Sequence, residues 1–272
     1  MGLPPDWLIA QWPAPARVRA VCTTRSGGVS TGLFESMNLG DHVGDDPACV
    51  AANRQALATA LGVRPVFMKQ VHGVGVLELN ESLDDGVQAD GVLSTQLGLA
   101  CTVMVADCLP ILLAHRDRPL VAAAHAGWRG LAGAGGSQPM GIVESTLKAM
   151  AEAARCPIAE LAPGLLAWLG PCIGPSAFEV GAEVKAAFLA ADPAAAACFS
   201  PLAAGKYLAD LPALARLRLR RLGVLAVYGN DGGDAWCTVR QSRFFSHRRC
   251  SGLPDALAGQ TGGRMAACIW LD

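Results

Sequence analysis

Apolar positions along this chain fall into short runs rather than one long amphipathic stretch. Residues 17–24, Arg-Val-Arg-Ala-Val-Cys-Thr-Thr, alternate with the period of a half-buried strand. Residues 98–106, 109–114 and 119–125 are nearly continuous apolar runs of small or β-branched side chains, the pattern of strands buried on both faces. Asp107-Cys108 breaks the first pair of runs and Arg116-Asp117-Arg118 the second. Further strands are predicted at 65–70 and 74–79, around His72-Gly73, and at 165–169, 224–228 and 266–271. Asp46-Pro47 supplies an N-cap and a first-turn proline, so a helix is predicted from there to about Gly62. Other helices are predicted over 142–155, 181–191 and 207–222. Interleaved strands and helices, with no repeat and no long linker, predict an α/β (α+β) fold. The expected architecture is one layered domain, 1–272, with mixed sheets flanked by helices. Residues 250–260, polar and bearing Gly and Pro, read as a surface loop.

Composition narrows the function classes. The chain has 272 residues, enough to bury a large core, and 52% of them are apolar. A formal net charge of −1 argues against a nucleic-acid footprint. The one dense basic run, Arg216, Arg218, Arg220 and Arg221, lies beside Leu211, Leu214 and Leu217 at helical spacing. It reads as the solvated face of an amphipathic helix. No basic residue precedes the first apolar patch, and prolines break it, so it does not resemble a signal peptide. Asp6 stands where a myristoylation motif needs Ser or Thr. Asp107 and Pro110 interrupt the longest apolar stretch, which argues against a membrane span. Ten cysteines are scattered through apolar runs with no C-x-x-C pair. They read as thiols in a reducing, cytoplasmic setting.

Candidate chemistry gathers at few positions. Of five histidines, His72 and His125 each end an apolar run and are followed at once, or after one residue, by glycine. Such a position exposes a side chain at a sheet edge and leaves room for close approach. Cys108 follows Asp107 between two apolar runs, where a carboxylate is costly to bury without a partner. A His/Cys/His set with one open position is the pattern of a catalytic zinc site. These residues lie far apart in sequence, however. Spacing alone does not separate a metal site from two satisfied histidines and a buried thiol.

Eight segments together resemble the YfiH/YlmD family, also called the laccase-domain or polyphenol-oxidase-like family. They are Thr23-Thr24-Arg25-Ser26-Gly27-Gly28-Val29-Ser30, Ser36-Met37-Asn38-Leu39-Gly40, Lys69-Gln70-Val71-His72-Gly73, Ala106-Asp107-Cys108-Leu109-Pro110, His125-Ala126-Gly127-Trp128-Arg129-Gly130, Leu169-Gly170-Pro171-Cys172-Ile173-Gly174, Phe178-Glu179-Val180-Gly181 and Phe244-Phe245-Ser246-His247-Arg248-Arg249. They occur in the family's order over about residues 17–272. The resemblance implies that His72, Cys108 and His125 are ligands of one metal, zinc or alternatively copper. It also implies a layered fold related to a bacterial toxin deamidase with a Cys–His dyad. Two departures, an insertion at 133–139 and a longer loop before Thr261-Gly262-Gly263-Arg264, bear on substrate preference rather than on the ligands.

The resemblance further implies phosphorolysis of purine nucleosides (adenosine, inosine and 5′-methylthioadenosine), with some adenosine deamination. Phosphorolysis needs an oxyanion site, for which Arg25 and Arg129 are candidates, because a guanidinium matches oxyanions bidentately. Deamination needs an activated water and a proton carrier, with Asp107 or Glu179 as candidates. Plainer roles stand beside these. Arg25 would fix its loop and Arg129 would pack on a sheet or lie at the surface. Glu179 would cap a helix, and Asp107 would orient a metal-bound histidine. Asn38 and Lys69 read as structural, and Trp128 as a buried ring or a stacking surface for a base. His42, His115 and His247 read as surface or satisfied residues, with the alternative that His247, beside Arg248 and Arg249, lines an anionic-ligand pocket. A multicopper oxidase needs on the order of ten histidines, so five exclude a conventional laccase centre. Three rivals remain: a metal-free hydrolase or amidase acting on peptidoglycan precursors, with Cys108 as nucleophile and His125 as base; a copper-dependent phenol oxidase; and a non-catalytic protein with a four-ligand structural metal.

Overall fold

The computed structural model describes residues 3–133, 140–252 and 261–272. Its frame is two mixed sheets packed face to face. The first runs Leu8–Ile9, Val18–Cys22, Met265–Leu271, Leu99–Val105, Arg64–Phe67. The second runs Ala226–Gly229, Leu165–Leu169, Leu109–His115, Val121–Ala126, Gly91–Ser94, Val76–Glu78. A small antiparallel sheet of Glu179–Val180, Tyr207–Ala209 and Phe199–Pro201 sits to one side.

The unbroken apolar runs are explained by burial on both faces. In the second sheet, Leu112, Ala114, Val121 and Ala123 pack between the sheets with Cys101, Val103, Ala267 and Ile269 of the first. Their alternating neighbours Ile111, Leu113, Ala122 and Ala124 face an outer layer with Ile142, Leu147, Leu214 and Leu219, from helices Ile142–Ala154 and Leu211–Arg221. On the far side, Ala100, Met104, Cys268 and Trp270 meet Leu57 and Leu61 of helix Pro47–Leu61. The result is four layers, helix–sheet–sheet–helix. Each fully buried Leu, Ile or Val contributes roughly 1.5–3 kcal/mol to hold them.

Locally signalled elements lie close to the predicted positions. Asp46 accepts the Ala48 N–H and Gly62 closes that helix in a left-handed conformation. Helices Ile142–Ala154 and Ala182–Ala191 also form. The helix predicted over 207–222 begins later. Tyr207–Ala209 joins the small sheet, and Asp210 then caps Leu211–Arg221 by accepting the Ala213 N–H at 2.9 Å. The strands predicted at 65–70 and 74–79 shrink to Arg64–Phe67 and Val76–Glu78, because a side-chain carboxylate binds the chain between them. The basic run is not wholly solvated. Arg218 is 7% exposed, and its guanidinium donates to Glu144 Oε1 at 2.7 Å and to the Ala132 carbonyl at 2.9 Å. Protein acceptors there replace water. Most of 133–139 and 250–260 lies outside the described residues; Cys250 and Ser251 end the short helix His247–Ser251. No helix among the described residues is long and apolar enough to cross a membrane.

Candidate metal centre

Strand alternation brings the candidate ligands together. Val121 and Ala123 face the gap between the sheets, and the same two-residue period carries His125 to that face at the strand's end. His125 pairs with Pro110 across the antiparallel ladder, which sets Cys108 beside it. His72 arrives from the segment between Arg64–Phe67 and Val76–Glu78. One donor atom from each of His72, Cys108 and His125 lies within 4.8 Å of the others. Cys108 Sγ is 3.6 Å from His72 Nε2, and the two imidazoles meet edge to face with centroids 4.8 Å apart.

The donor set fits a metal. Zinc–sulfur and zinc–nitrogen bonds of standard length at a tetrahedral angle place S and N about 3.6 Å apart, the separation of Cys108 Sγ and His72 Nε2. Asp90, fully buried, accepts from His125 Nδ1 at 2.8 Å, which leaves the Nε2 lone pair for the centre. The same carboxylate accepts the backbone N–H of Val71, His72 and Gly73 at 3.2, 2.9 and 2.8 Å, so it holds both histidine segments at once. These bonds hold the Asp90 carboxyl below its usual range despite burial. Without metal, burial alone would push the Cys108 thiol up, but the His125 and His72 imidazoles draw it down to about 6. The thiolate and Asp90 raise His125 to about 9 against the cost of its burial.

Backbone shape serves the same cluster. A Cβ on Gly127 would stand 2.7 Å from His72 Cδ2 and 3.1 Å from Cys108 Sγ; one on Gly130 would stand 2.7 Å from the Gly73 carbonyl. Glycine is therefore required where the tryptophan motif passes the cluster. His72 (φ 60°) and Asp107 (φ 88°) both hold positive φ, a conformation costing about 1–3 kcal/mol for a non-glycine residue. Asp90 fixes the first. The second is held through both carboxylate oxygens, one bonded by the Thr238 hydroxyl and one by the Arg248 backbone N–H at 2.6 Å.

The cluster forms the floor of a pocket of about 390 Å³. Met104, Ile173, Phe178, Leu211 and Trp128 give it apolar walls, and His42, His247, Arg248 and Arg264 give it a basic rim. Asp107 is the only carboxylate among the described lining residues. Three sequence candidates stand outside. Arg25 donates to the Glu35 carbonyl at 2.7 Å and lies over the Phe245 ring, beside a separate surface depression. Arg129 is exposed, its guanidinium 4.5 Å from the Trp128 ring centroid. Glu179 is exposed and paired with Lys206, which pulls its carboxyl below the ordinary range. Asn38 is buried and bonds Gly40, Asp45 and Arg264 backbone or side-chain groups, while His115 accepts two backbone N–H groups through Nδ1. Asp90 and Arg264 carry no sequence argument of their own. Asp90 sits in Gln88-Ala89-Asp90-Gly91, and only strand pairing reveals its partner.

Fold and site define a mixed α/β protein with a three-donor His/Cys/His cluster at the floor of a basic-rimmed pocket. The chain belongs to the YfiH family: a family model described as multi-copper polyphenol oxidoreductase laccase matches residues 19–272. A protein of Pseudomonas aeruginosa named purine nucleoside phosphorylase is 48% identical over 269 residues, covering 97% of this chain and 98% of that one. Escherichia coli purine nucleoside phosphorylase YfiH is 43% identical over 267 residues, covering 97% and 98%. Among solved structures, a Neisseria meningitidis protein superposes with a TM-score of 0.85 at 44% identity, covering 98% of this chain and 99% of its own. YlmD from Geobacillus stearothermophilus gives 0.82 at 29% identity, covering 100% and 98%.

Proposed function

We propose that the chain is a zinc-dependent purine nucleoside phosphorylase of adenosine, inosine and 5′-methylthioadenosine, with adenosine deamination as a second activity. One observation carries this reading: an open His72/Cys108/His125 donor set lies at the floor of a basic-rimmed pocket. The pocket's volume falls within the range typical of small-molecule sites. The names of the Pseudomonas and Escherichia relatives support the substrate class. The ten free thiols support a cytoplasmic setting.

In phosphorolysis a phosphate oxygen bonds to C1′ of the ribose as the C1′–N9 bond breaks. The base leaves with that electron pair and takes the proton that phosphate gives up. The products are ribose 1-phosphate and free base. The chain's own residues have definable parts in this. Trp128 and Phe178 offer apolar and aromatic surface to a purine. The basic rim attracts the oxyanion, and the walls limit water. Asp107 is the lining carboxylate and the candidate to hold a proton, whereas Glu179 is committed to Lys206 outside the pocket. When bound, zinc supplies a Lewis acid at the floor of the pocket. Copper also fits a His₂Cys set and binds such ligands more tightly, so metal quantification is part of the test.

The test is direct. Purified protein is assayed for bound metals, then incubated with inosine or adenosine plus phosphate, beside Cys108→Ala. Zinc near one equivalent, with ribose 1-phosphate from wild type only, is the expected result. Equal product from both proteins would remove Cys108 from the reaction.

A second reading is favoured by one observation. Cys108, His125 and Asp90 stand as nucleophile, base and orienting carboxylate, with the thiol drawn down to about 6. That is the arrangement of a metal-free Cys–His hydrolase or amidase, for which peptidoglycan precursors are the proposed substrates. It predicts amide cleavage by metal-free protein, abolished by alkylation of Cys108. Activity that requires restored zinc counts against it.

A further inference from the structure

Two cations on the rim have no carboxylate partner among the described residues. Among the described residues, neither Arg248 nor Arg264 forms a salt bridge, although Arg19, Arg54, Arg118, Arg218 and Arg221 all do. Arg248 uses Nη2 on the Glu179 carbonyl at 3.2 Å, and Arg264 uses Nη1 on the Gly262 and Gly263 carbonyls at 2.6 and 3.3 Å. Nε and Nη1 of Arg248, and Nε and Nη2 of Arg264, meet no acceptor among the described residues. Both side chains nevertheless line the same pocket as the His72/Cys108/His125 cluster. Asp107, the carboxylate among the described lining residues, accepts from the Thr238 hydroxyl and the Arg248 backbone N–H and makes no side-chain ion pair with either guanidinium. Positive charge is concentrated on this wall. Burial and then the Arg264 charge hold the His42 imidazole below its ordinary value, against the upward pull of neighbouring Asp41.

We propose that Arg248 and Arg264 form the oxyanion subsite of this pocket, holding inorganic phosphate against the metal-cluster floor. The assignment rests on the phosphorylase reading and moves the anion role from Arg25 and Arg129, which do not line the pocket, to two residues that do. Free guanidinium N–H groups in a partly enclosed site match a phosphate dianion in charge and in fork geometry. The wall that carries them is built from two successive elements, the short helix His247–Ser251 and the residue before strand Met265–Leu271. The same chemistry would accept the 5′-phosphate of a nucleotide, so the source of the phosphoryl group has to be tested as well.

The experiment is titration calorimetry of the metal-replete protein with inorganic phosphate and, separately, with AMP, together with initial rates on inosine. Arg248→Ala, Arg264→Ala and Arg264→Lys are compared with Arg221→Ala, which removes a cation that pairs with Asp192 and does not line the pocket. Each pocket alanine should weaken phosphate at least about tenfold, as loss of charge-assisted hydrogen bonds does. It should raise KM for phosphate in step, with KM for inosine changed less than threefold. Arg264→Lys should recover part of the loss, and Arg221→Ala should bind as wild type. Zinc content and the circular dichroism spectrum identify any variant that has lost its fold; Arg248, more exposed than Arg264, gives the second, independent reading. Phosphate affinity unchanged in both alanine variants overturns the subsite. So does a loss confined to AMP with inorganic phosphate unaffected. Wild type that binds phosphate through these arginines yet makes no ribose 1-phosphate leaves the subsite standing and removes the phosphorylase reading.

Discussion

Asp90 Oδ1 accepts the Nδ1–H of His125 at 2.8 Å, and both side chains are buried. Through this contact and its three backbone bonds to Val71, His72 and Gly73, one carboxylate sets the positions of two of the three donors. Partners of this kind typically alter metal affinity by 10–100-fold when removed. Asp90→Asn keeps one acceptor for His125 but offers an amide where the loop N–H groups need a second. Zinc affinity, measured by competition with a chromophoric chelator, is therefore expected to fall about tenfold or more. Affinity equal to wild type would show that the histidines are held by something other than this carboxylate.

Without metal, the cluster should behave as a reactive thiol. Cys108 is drawn to about 6 and His125 raised to about 9, so between those values the pair is thiolate and imidazolium. The two protons belong to the pair rather than to either group. The sign is definite: lowering pH through about 6 protonates the sulfur and slows alkylation, while raising it from 6 to 9 leaves the rate nearly flat. Iodoacetamide labelling of chelator-treated protein, read by mass spectrometry at Cys108, should show that profile. Zinc should suppress labelling throughout. His125→Ala should move the midpoint upward, and a midpoint already near 9 in wild type would contradict the pairing.

Some of this site is legible in the sequence and some is not. His72, Cys108 and His125 stand out because each interrupts or ends an apolar run beside glycine or a charged residue, a local signal. Helix Pro47–Leu61 announces itself by an Asp cap followed by proline, whereas apolar spacing alone places the helix predicted over 207–222, and its Asp210 cap sets a later start. Asp90 has no such signal, since its role exists only once Gly91–Ser94 pairs with Val121–Ala126. The sequence offers His247, beside Arg248 and Arg249, for an anionic-ligand pocket; in the structure His247 and Arg248 line it, while Arg249 turns inward to the carbonyls of Thr238, Val239, Gln241 and Phe244. Arg25, Arg129 and Glu179 were attractive by motif alone; depth in the pocket is a property of the assembled sheets. Two- and three-residue strands such as Leu8–Ile9 and Glu179–Val180 are too short for periodicity to reveal.

The buried pair of Arg218 and Glu144 is expected to act on stability and not on substrate. Arg218 donates to Glu144 and to the Ala132 carbonyl, which ends the helix Trp128–Ala132. Removing one member of a buried pair costs about 3–5 kcal/mol, and the partial exposure of Glu144, 22% at the side chain, brings this toward the lower end. Arg218→Ala should lower the thermal midpoint by several degrees, measured by calorimetry, with KM for inosine and for phosphate unchanged at a temperature where the variant is folded. A change in KM at intact fold would show that the helix carrying Trp128 transmits strain to the pocket.

Gly127 offers the sharpest steric test of the cluster. Its φ of −66° is ordinary for any residue, so an alanine there is not excluded by backbone conformation. What excludes it is space: the new methyl would lie 2.7 Å from His72 Cδ2 and 3.1 Å from Cys108 Sγ, so the His72 ring or the sulfur must move. His72 is exposed and rides on a loop, whereas Cys108 is fixed between two strands, so the ring should give way. Tetrahedral bonding tolerates little change in donor separation. Gly127→Ala should therefore fold with nearly native stability, yet lose zinc by at least about tenfold in a chelator competition. Cobalt substitution supplies a second readout, because a distorted or two-donor site loses the thiolate charge-transfer and tetrahedral d–d absorption. A variant that binds cobalt with the wild-type spectrum would mean that the three donors do not meet in front of Gly127.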